Sequence, residues 1–228
     1  MLMRTQATST KQGNFRHPVA GIGKAATLSG SIEMMGASMP FARNVEVYGE
    51  DEPAEYVYKV ISGAVRTYKL LGDGRRQIGN FYLPGDIFGL EAGEHHRFTA
   101  EAITDSTILV IKRSAVVSLA RSDRELSHQL WQLTAQELEH VQTLLLLLGR
   151  KNAQERVAAF LLEMADRVPA GNAVELPMCR QDIADYLGLT IETVSRTLTQ
   201  LEDAAAIALP TSRRVVLRDR AALNRLNG

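Results

Sequence analysis

The chain has 228 residues, of which 45% are hydrophobic and 23% are charged, and its 26 basic side chains balance its 26 acidic ones. This length and composition are typical of a globular protein with one large or two modest domains. The chain has no net charge, whereas many nucleic-acid-binding proteins have an excess of basic residues. A local cluster of arginines can still form a basic face.

The sequence contains no apolar run of about 18 or more residues, so we expect no membrane-spanning helix and no membrane partner. The N-terminus lacks the apolar core of a secretory signal. The single cysteine, Cys179, excludes a disulfide within the chain and fits a reducing compartment. These features predict a cytoplasmic protein.

The first half of the chain predicts a polar arm followed by a β domain. Residues 1–30 are polar with little periodicity, which is typical of a poorly ordered arm. Short segments rich in β-branched and aromatic residues then alternate with Gly- and Pro-marked turns, and they include Tyr56–Ile61, Val65–Leu70, Arg76–Tyr82 and Thr107–Ile111. This pattern predicts a small β-barrel or jelly roll over residues 31–121.

Residues 122–150 are predicted to form one long helix with two apolar stripes. The first stripe has the 3–4 spacing of a coiled-coil seam and comprises Trp131, Thr134, Leu138, Val141, Leu145 and Leu148. The second stripe lies beside it and comprises Leu126, Leu130, Leu133, Glu137, Leu144 and Leu147. We expect one stripe to pack on the barrel and the other on a second chain, which makes a homodimer. The alternative is a core helix that is buried on two sides.

Residues 151–228 predict a winged helix-turn-helix domain. An amphipathic helix spans Asn152–Arg167 and precedes a turn at Pro169–Asn172. The two helices of the motif are Arg180–Leu187 and a segment from Thr190 to Glu202, joined at Gly188, where a positive φ is expected. Thr190 is the predicted N-cap. Val194, Leu198 and Leu201 form the inner stripe of the second helix.

The end of the chain predicts a wing and a short final helix. Ile207–Leu209 and Arg214–Leu217 are predicted to form a β-hairpin, and Asp219 to cap the helix that follows. From Thr190 to Leu226 the chain has six arginines against four acidic residues, so a basic face is possible in a neutral protein.

The second helix of the motif carries side chains that suit the edges of DNA bases. Glu192, Ser195 and Arg196 have i, i+3 and i+4 spacing and share the outer face. A glutamate can accept from cytosine N4 and an arginine can pair with guanine O6 and N7. The predicted contacts to double-stranded DNA are Thr190, Ile191, Glu192, Thr193, Ser195, Arg196, Arg180, Arg213 and Arg214. The alternative is a helical hairpin with a solvated polar face.

Five sequence strings give the chain its family resemblance: Tyr58–Gly63, Leu83–Gly89, Gly93–His96, Leu145–Arg156 and Tyr186–Arg196. With these strings, the chain resembles the CRP/FNR superfamily of bacterial transcription regulators, most of all the FixK-type members of its FNR-like branch. The resemblance implies an α+β protein with an N-terminal cyclic-nucleotide-binding-like β-barrel (a jelly roll), a long dimerisation helix and a C-terminal winged helix-turn-helix.

The resemblance also implies a function. The base-contacting residues of the superfamily correspond to Glu192, Ser195 and Arg196 in this sequence. CRP-type proteins carry Arg and Gly at the positions that Ile191 and Ser195 occupy here. This is the FNR-type pattern, so we expect a homodimer that binds a palindrome resembling TTGA-N6-TCAA and activates transcription. RNA polymerase is the expected partner, and the loops Gly49–Glu55 and Leu70–Arg76 are candidate contacts. No catalytic motif is present, so we do not expect an enzyme.

The sequence predicts no cofactor for the barrel. Cyclic AMP receptors carry an Arg-Ser or Arg-Thr pair, but here Arg97 is followed by Phe98. An iron–sulfur cluster of the FNR kind needs four thiolates, and Cys179 is the only cysteine. His95 and His96 point to opposite faces of a strand, so we expect structural roles and no metal site. The alternative function is a ligand-responsive repressor whose barrel binds an unidentified small molecule.

Cys179 lies just before the first helix of the predicted DNA motif. A helix N-terminus and the neighbouring Arg180 both favour the reactive thiolate form. Oxidation to a sulfinic acid would add a negative charge close to the DNA backbone. We therefore predict that oxidation of Cys179 weakens DNA binding. The alternative is that Cys179 is a small capping or packing residue.

Overall fold

The computed structural model describes residues 34–167 and 173–227 of the chain. The predicted N-terminal arm and the predicted turn at Pro169–Asn172 lie outside these ranges, as does the last residue. The described part of the chain contains a β domain, a long helix and a C-terminal domain of helices with a small sheet.

The β domain consists of two four-stranded antiparallel sheets. Their inner faces enclose an aromatic and aliphatic core that includes Tyr48, Val60, Phe88 and Ile108. This arrangement confirms the predicted jelly roll. The strands are β1 Ala37–Phe41, β2 Glu46–Tyr48, β3 Tyr56–Ser62, β4 Val65–Leu70, β5 Arg76–Tyr82, β6 Ile87–Phe88, β7 Thr99–Ala102 and β8 Ser106–Lys112. The strand orders of the two sheets are β1-β8-β3-β6 and β2-β7-β4-β5.

The helices follow the predicted order, with one short addition, α1, after the β domain. Their bounds are α1 Arg113–Ala120, α2 Arg124–Arg150, α3 Ala153–Arg167, α4 Arg180–Leu187, α5 Ile191–Asp203 and α6 Arg220–Asn227. The long helix α2 begins two residues later than predicted, because Asp123 caps it by accepting a hydrogen bond from the Leu126 backbone N–H at 3.0 Å.

The two stripes of α2 have different environments. Leu126 and Leu147 of the second stripe are buried, and its Leu130 and Leu133 pack against the β domain. Four members of the first stripe are between 52% and 72% exposed in the single chain, namely Trp131, Leu138, Val141 and Leu145. The alternative of a helix buried on two sides within one chain is therefore wrong.

The C-terminal domain packs directly on the β domain. Ile78 and Phe81 of β5 belong to the same hydrophobic cluster as Phe160 of α3 and Tyr186 of α4. The domain also contains β9 Ala173–Glu175, β10 Ile207–Ala208 and β11 Arg214–Leu217, which form a three-stranded sheet of order β10-β11-β9. Strands β10 and β11 form the predicted hairpin. The third strand, β9 Ala173–Glu175, was not predicted.

Candidate DNA-binding interface

Helices α4 and α5 form the predicted helix-turn-helix. Gly188 ends α4 in the left-handed region, at φ 60° and ψ 40°, where a side chain would be strained. The Leu189 backbone N–H donates to the Ala184 carbonyl at 2.9 Å, which closes the turn. Thr190 caps α5, since its hydroxyl oxygen accepts from the Thr193 backbone N–H at 3.2 Å. The predicted conformation of Gly188 and the predicted cap are both confirmed.

Helix α5 separates an inner apolar face from an outer polar face. Val194, Leu198 and Leu201 are buried, as the sequence predicted. On the other side Glu192 and Arg196 are exposed. The structure therefore presents the predicted reader side chains on one accessible face of a helix, which is the geometry that entry into a major groove requires.

Glu192 is held in its ionised form at the start of this face. Hydrogen bonds from its own backbone N–H and from the Thr190 hydroxyl hold the pKa of the Glu192 carboxyl below its usual range. An ionised carboxylate only accepts hydrogen bonds. The side chain thus suits a base edge that offers a donor, such as cytosine N4.

Ser195 is linked to the first helix of the motif by Arg180. The Arg180 guanidinium donates from Nη1 to Ser195 Oγ at 3.2 Å, and both residues are partly buried. The predicted contacts Arg180 and Ser195 therefore lie side by side between α4 and α5. Because an arginine can only donate, the Ser195 hydroxyl is left free to donate its own hydrogen outward.

Several other predicted contacts also lie on or beside this face. Ile191 is 37% exposed at the start of α5. Thr193 is partly buried and shares a 3.1 Å hydroxyl–hydroxyl hydrogen bond with Thr190, so both threonines take part in capping. Sequence reasoning missed Thr199, which is exposed and continues the face one turn beyond Arg196. Its i+7 spacing from Glu192 could have identified it.

The two wing arginines lie at the start of β11. Arg214 faces Glu175 of β9 across the sheet, and the two side chains form an exposed ion pair at 3.5 Å. Arg213 donates from its guanidinium to the Pro177 carbonyl at 3.4 Å. Both side chains thus have partners within the protein, and DNA phosphates would compete with these weak contacts.

Comparison with known proteins identifies the family. A model of the Crp-like helix-turn-helix domain matches residues 155–226, and a model of the cyclic nucleotide-binding domain matches residues 39–123. The nitrogen fixation regulation protein FixK of Azorhizobium caulinodans is 56% identical over 201 residues, which cover 86% of this chain and 81% of that protein. The chain belongs to the FixK-type regulators of the CRP/FNR family.

Other FixK-type proteins are similar in sequence and in structure. The FixK of Rhizobium meliloti is 46% identical over 170 residues, which cover 75% of this chain and 77% of that protein. The structure of FixK2 from Bradyrhizobium japonicum superimposes with a TM-score of 0.82 at 52% identity, and the match covers 85% of this chain and 98% of that one. The helix-turn-helix is therefore the DNA-binding domain of a transcription regulator, a class that is not enzymatic.

In this FixK-type regulator Cys179 is the residue that precedes α4. Its backbone N–H and its Sγ atom both approach Asp182 Oδ2 at 3.2 Å, so the thiol donates to a carboxylate. The predicted helix N-terminus is present, but the side chain of the neighbouring Arg180 turns toward Ser195. The contact of Cys179 with Asp182 has the N-cap to N3 spacing of a capping box, which agrees with the alternative that Cys179 is a capping residue.

A cavity of about 710 Å³ lies between the β domain and α2. Tyr82 and Asn80 line its barrel side, and Leu138 and Val141 of the exposed α2 stripe line its other side. Arg97 and Phe98, which replace the phosphate-binding pair of cyclic AMP receptors, also line it. The cavity is therefore open to a small molecule, although its walls lack that pair.

His96 is a packing residue of the β domain. Its ring is buried and stacks on Tyr48, with ring centroids 3.6 Å apart, and burial lowers the pKa of His96. Within residues 34–167 and 173–227, no three His, Cys, Asp or Glu side chains converge on a site that could hold a metal ion.

None of the helices in the described part of the chain is long and apolar enough to cross a membrane.

Proposed function

We propose that this FixK-type regulator binds, as a homodimer, a palindrome resembling TTGA-N6-TCAA and activates transcription from it. The outer face of α5 carries the proposal, because Glu192, Ser195 and Arg196 lie there at accessible positions on a rigid helix. Glu192 accepts from a cytosine, Arg196 pairs with a guanine and Ile191 contacts a thymine methyl group. No cyclic nucleotide, iron–sulfur cluster or metal takes part in the binding.

The homodimer is proposed from the exposed stripe on α2. Trp131, Leu138, Val141 and Leu145 are apolar side chains of one stripe that a single chain leaves more than half exposed. A second copy would bury it through the same surface, as twofold symmetry requires. The centres of the two half-sites in the proposed palindrome are about 10 bp apart, which is one helical turn of DNA and the spacing expected for a helix-turn-helix dimer.

DNA binding is tested by fluorescence anisotropy with the palindrome and with a duplex in which both half-sites are scrambled. At a stated salt concentration we expect the palindrome to bind about 10³-fold or more tightly than the scrambled duplex. Equal affinity for the two duplexes would contradict the proposal.

Activation requires contact with RNA polymerase, for which the loops Gly49–Glu55 and Leu70–Arg76 are the candidates. The first loop is mostly exposed, and the second contains the exposed Leu70 and Leu71. In vitro transcription from a promoter with the palindrome should rise when purified protein is added without any ligand. A substitution in either loop that abolished the stimulation but left DNA affinity unchanged would locate the contact.

Oxidation of Cys179 is proposed to switch DNA binding off. Two equivalents of hydrogen peroxide convert the thiol to a sulfinic acid and release two waters, which leaves a negative charge at the start of α4. That charge would face the DNA phosphates and also the carboxylate of Asp182, 3.2 Å from the thiol sulfur. The repulsion from the phosphates disfavours the DNA-bound form, and the repulsion from Asp182 disturbs the start of α4.

The redox proposal is tested with Cys179→Ser and Cys179→Asp. We expect peroxide to weaken binding of the parent to the palindrome and to leave the serine variant unaffected. Without peroxide the aspartate variant should bind as weakly as the oxidised parent. The proposal fails if peroxide weakens the serine variant as much as the parent.

The cavity of about 710 Å³ favours one alternative, a repressor that responds to a small molecule bound in the β domain. The two functions differ in transcription without ligand, which rises for the activator and falls for the repressor. Calorimetry with cyclic AMP provides a second test, and we expect no heat of binding because Phe98 replaces the hydroxyl residue of the phosphate-binding pair.

A further inference from the structure

Two arginines of the β domain form ion pairs with α4, the first helix of the DNA-binding motif. Arg66 Nη1 and Arg76 Nη2 both donate to Asp182 Oδ1, at 2.5 Å and 2.7 Å. Arg76 Nε also donates to Asp185 Oδ2 at 2.7 Å. Asp182 and Asp185 belong to α4, whereas Arg66 lies on β4 and Arg76 on β5. We call these four residues the arginine clamp.

The clamp is enclosed, and a third carboxylate adjoins it, because Arg66 Nη2 also donates to Glu101 Oε1 of β7 at 2.7 Å. Its four side chains are at most 21% exposed. Both guanidinium groups lie against the ring of Tyr68, at 5.7 Å and 5.6 Å from its centroid. Burial alone would lower the pKa of Arg76, but hydrogen bonds and charges of Asp185 and Asp182 outweigh it and raise the pKa. Charge-assisted hydrogen bonds of this kind fix an orientation as well as a distance.

A second contact between the two domains lies beside the clamp. The ring of Phe81 on β5 packs against Tyr186 on α4, with centroids 5.3 Å apart. Arg167 at the end of α3 donates to Asp86 and to the Phe81 carbonyl. Aromatic surfaces tolerate sliding and rotation better than paired charges do, so the ion pairs select one orientation of the helix-turn-helix on the barrel.

The covalent connection does not by itself select this orientation. Helix α2 ends at Arg150 and α3 begins at Ala153, and the two residues between them are not helical. Such a short irregular link can act as a pivot. Arg156 of α3 spans the link, because its guanidinium donates to the Leu148 carbonyl of α2 and to the Leu187 carbonyl of α4, both at 2.8 Å. The contacts with the β domain act together with this bridge to set where α5 points relative to α2.

We infer that the arginine clamp is a positioning device that sets the half-site spacing the regulator accepts. The inference rests on the proposed function, because it needs a dimer joined along α2 and a palindromic site. In such a dimer the orientation of α4 and α5 on each barrel determines the distance and angle between the two recognition helices. Changing the spacer by one base pair moves a half-site by about 3.4 Å and rotates it by about 35°.

The test measures two selectivities with the full-length protein. Spacer selectivity is the affinity for TTGA-N6-TCAA divided by the mean affinity for the N5 and N7 sites. Base selectivity is the affinity for the N6 site divided by that for a scrambled N6 duplex. Arg76→Ala removes the ion pairs of Arg76 with Asp182 and Asp185, and Asp185→Asn removes the charge of the second of these pairs. Both variants keep the Arg66–Asp182 pair and leave the base-reading face of α5 intact.

We expect spacer selectivity to fall about tenfold in both variants. Breaking an enclosed ion pair costs enough free energy to change an affinity ratio by at least that factor. Base selectivity should change less than about threefold. Arg76→Lys keeps the charge but loses the fork that reaches both Asp182 and Asp185, so it should restore only part of the spacer selectivity. Arg75→Ala is the matched control, since Arg75 forms an ion pair with Asp73 at the exposed end of the same hairpin and is outside the clamp.

A second readout needs no DNA. Trypsin cuts after arginine and lysine, and Arg150 and Lys151 lie in or beside the link between α2 and α3. Cleavage there should be faster in Arg76→Ala and Asp185→Asn than in the parent or in Arg75→Ala, because weaker contacts between the domains let the link open more often.

The outcomes separate the inference from the function on which it rests. Unchanged spacer selectivity in either folded clamp variant overturns the inference, and so does an equal loss of both selectivities, which would mean general damage to the motif. A parent protein without base selectivity would refute the proposed function itself, and the clamp could then have no role in spacing.

Discussion

Arg196 is the residue of the outer face of α5 whose loss is expected to cost the most specificity. The side chain is exposed, and the structure describes no ion pair that would hold it away from a base. A bidentate contact with guanine contributes roughly 1–3 kcal/mol, so Arg196→Ala should bind the palindrome about 5- to 150-fold more weakly. Fluorescence anisotropy against the scrambled duplex measures the ratio.

The matched control for this prediction is Arg225→Ala. Arg225 is an exposed arginine of α6 that pairs weakly with Asp219 at 3.8 Å. Its removal also lowers the positive charge by one, but it should leave the ratio between palindrome and scrambled duplex unchanged. Equal ratios for Arg196→Ala and the parent would contradict the role of Arg196.

Arg180 and Ser195 are expected to act as one unit, because the guanidinium donates to the serine hydroxyl at 3.2 Å. Ser195→Ala and Arg180→Ala should each weaken binding to the palindrome. The double variant should lose less than the sum of the two losses, with an interaction free energy of about 0.5–3 kcal/mol. Additive losses in this double-mutant cycle would show that the two side chains contact DNA independently.

At the scale of single elements, the exposed stripe of α2 carries the prediction of a dimer. Leu138→Glu places a charge in the centre of the stripe and should give a monomer by light scattering after gel filtration, since a buried unpaired charge is strongly unfavourable. Thr143→Glu places the same charge at an exposed position of α2 outside the stripe and should leave the dimer intact. A dimer in both variants would exclude the stripe as the interface.

The single tryptophan gives an independent measure of the same interface. Trp131 lies in the stripe and is 72% exposed in one chain. Its fluorescence should shift to the blue as protein concentration rises through the dimer dissociation constant, because the indole then leaves water. The Leu138→Glu variant should show no such shift.

Elements with a strong hydrophobic periodicity were predictable from the sequence, whereas short elements with a weak periodicity were not. The apolar spacing of α2 and α5, and the cap at Thr190, gave their limits to within two residues. Strand β7 was missed because Thr-Ala-Glu-Ala has a single β-branched residue, and β9 because three residues carry too little pattern. The arginine clamp had no local signal, since its partners are more than 100 residues apart in the chain.

At the scale of the whole molecule, the β domain and the DNA-binding domain share one hydrophobic core. Phe81 of β5 contacts both Phe160 of α3 and Tyr186 of α4, with ring centroids 6.3 Å and 5.3 Å apart. Two domains joined in this way should unfold together in one transition and not one after the other. The shared core also explains why a change in one domain can reach the other.

Phe160→Ala tests the shared core. Removing a fully buried phenylalanine costs about 3–5 kcal/mol, so the free energy of unfolding should fall by that amount. Guanidinium unfolding followed by circular dichroism and by Trp131 fluorescence, at one protein concentration, should give coincident transitions that shift together. Leu70→Ala, at an exposed leucine of β4, should change the free energy by less than about 0.5 kcal/mol. Two separate transitions, with only one displaced by Phe160→Ala, would show that the domains unfold independently.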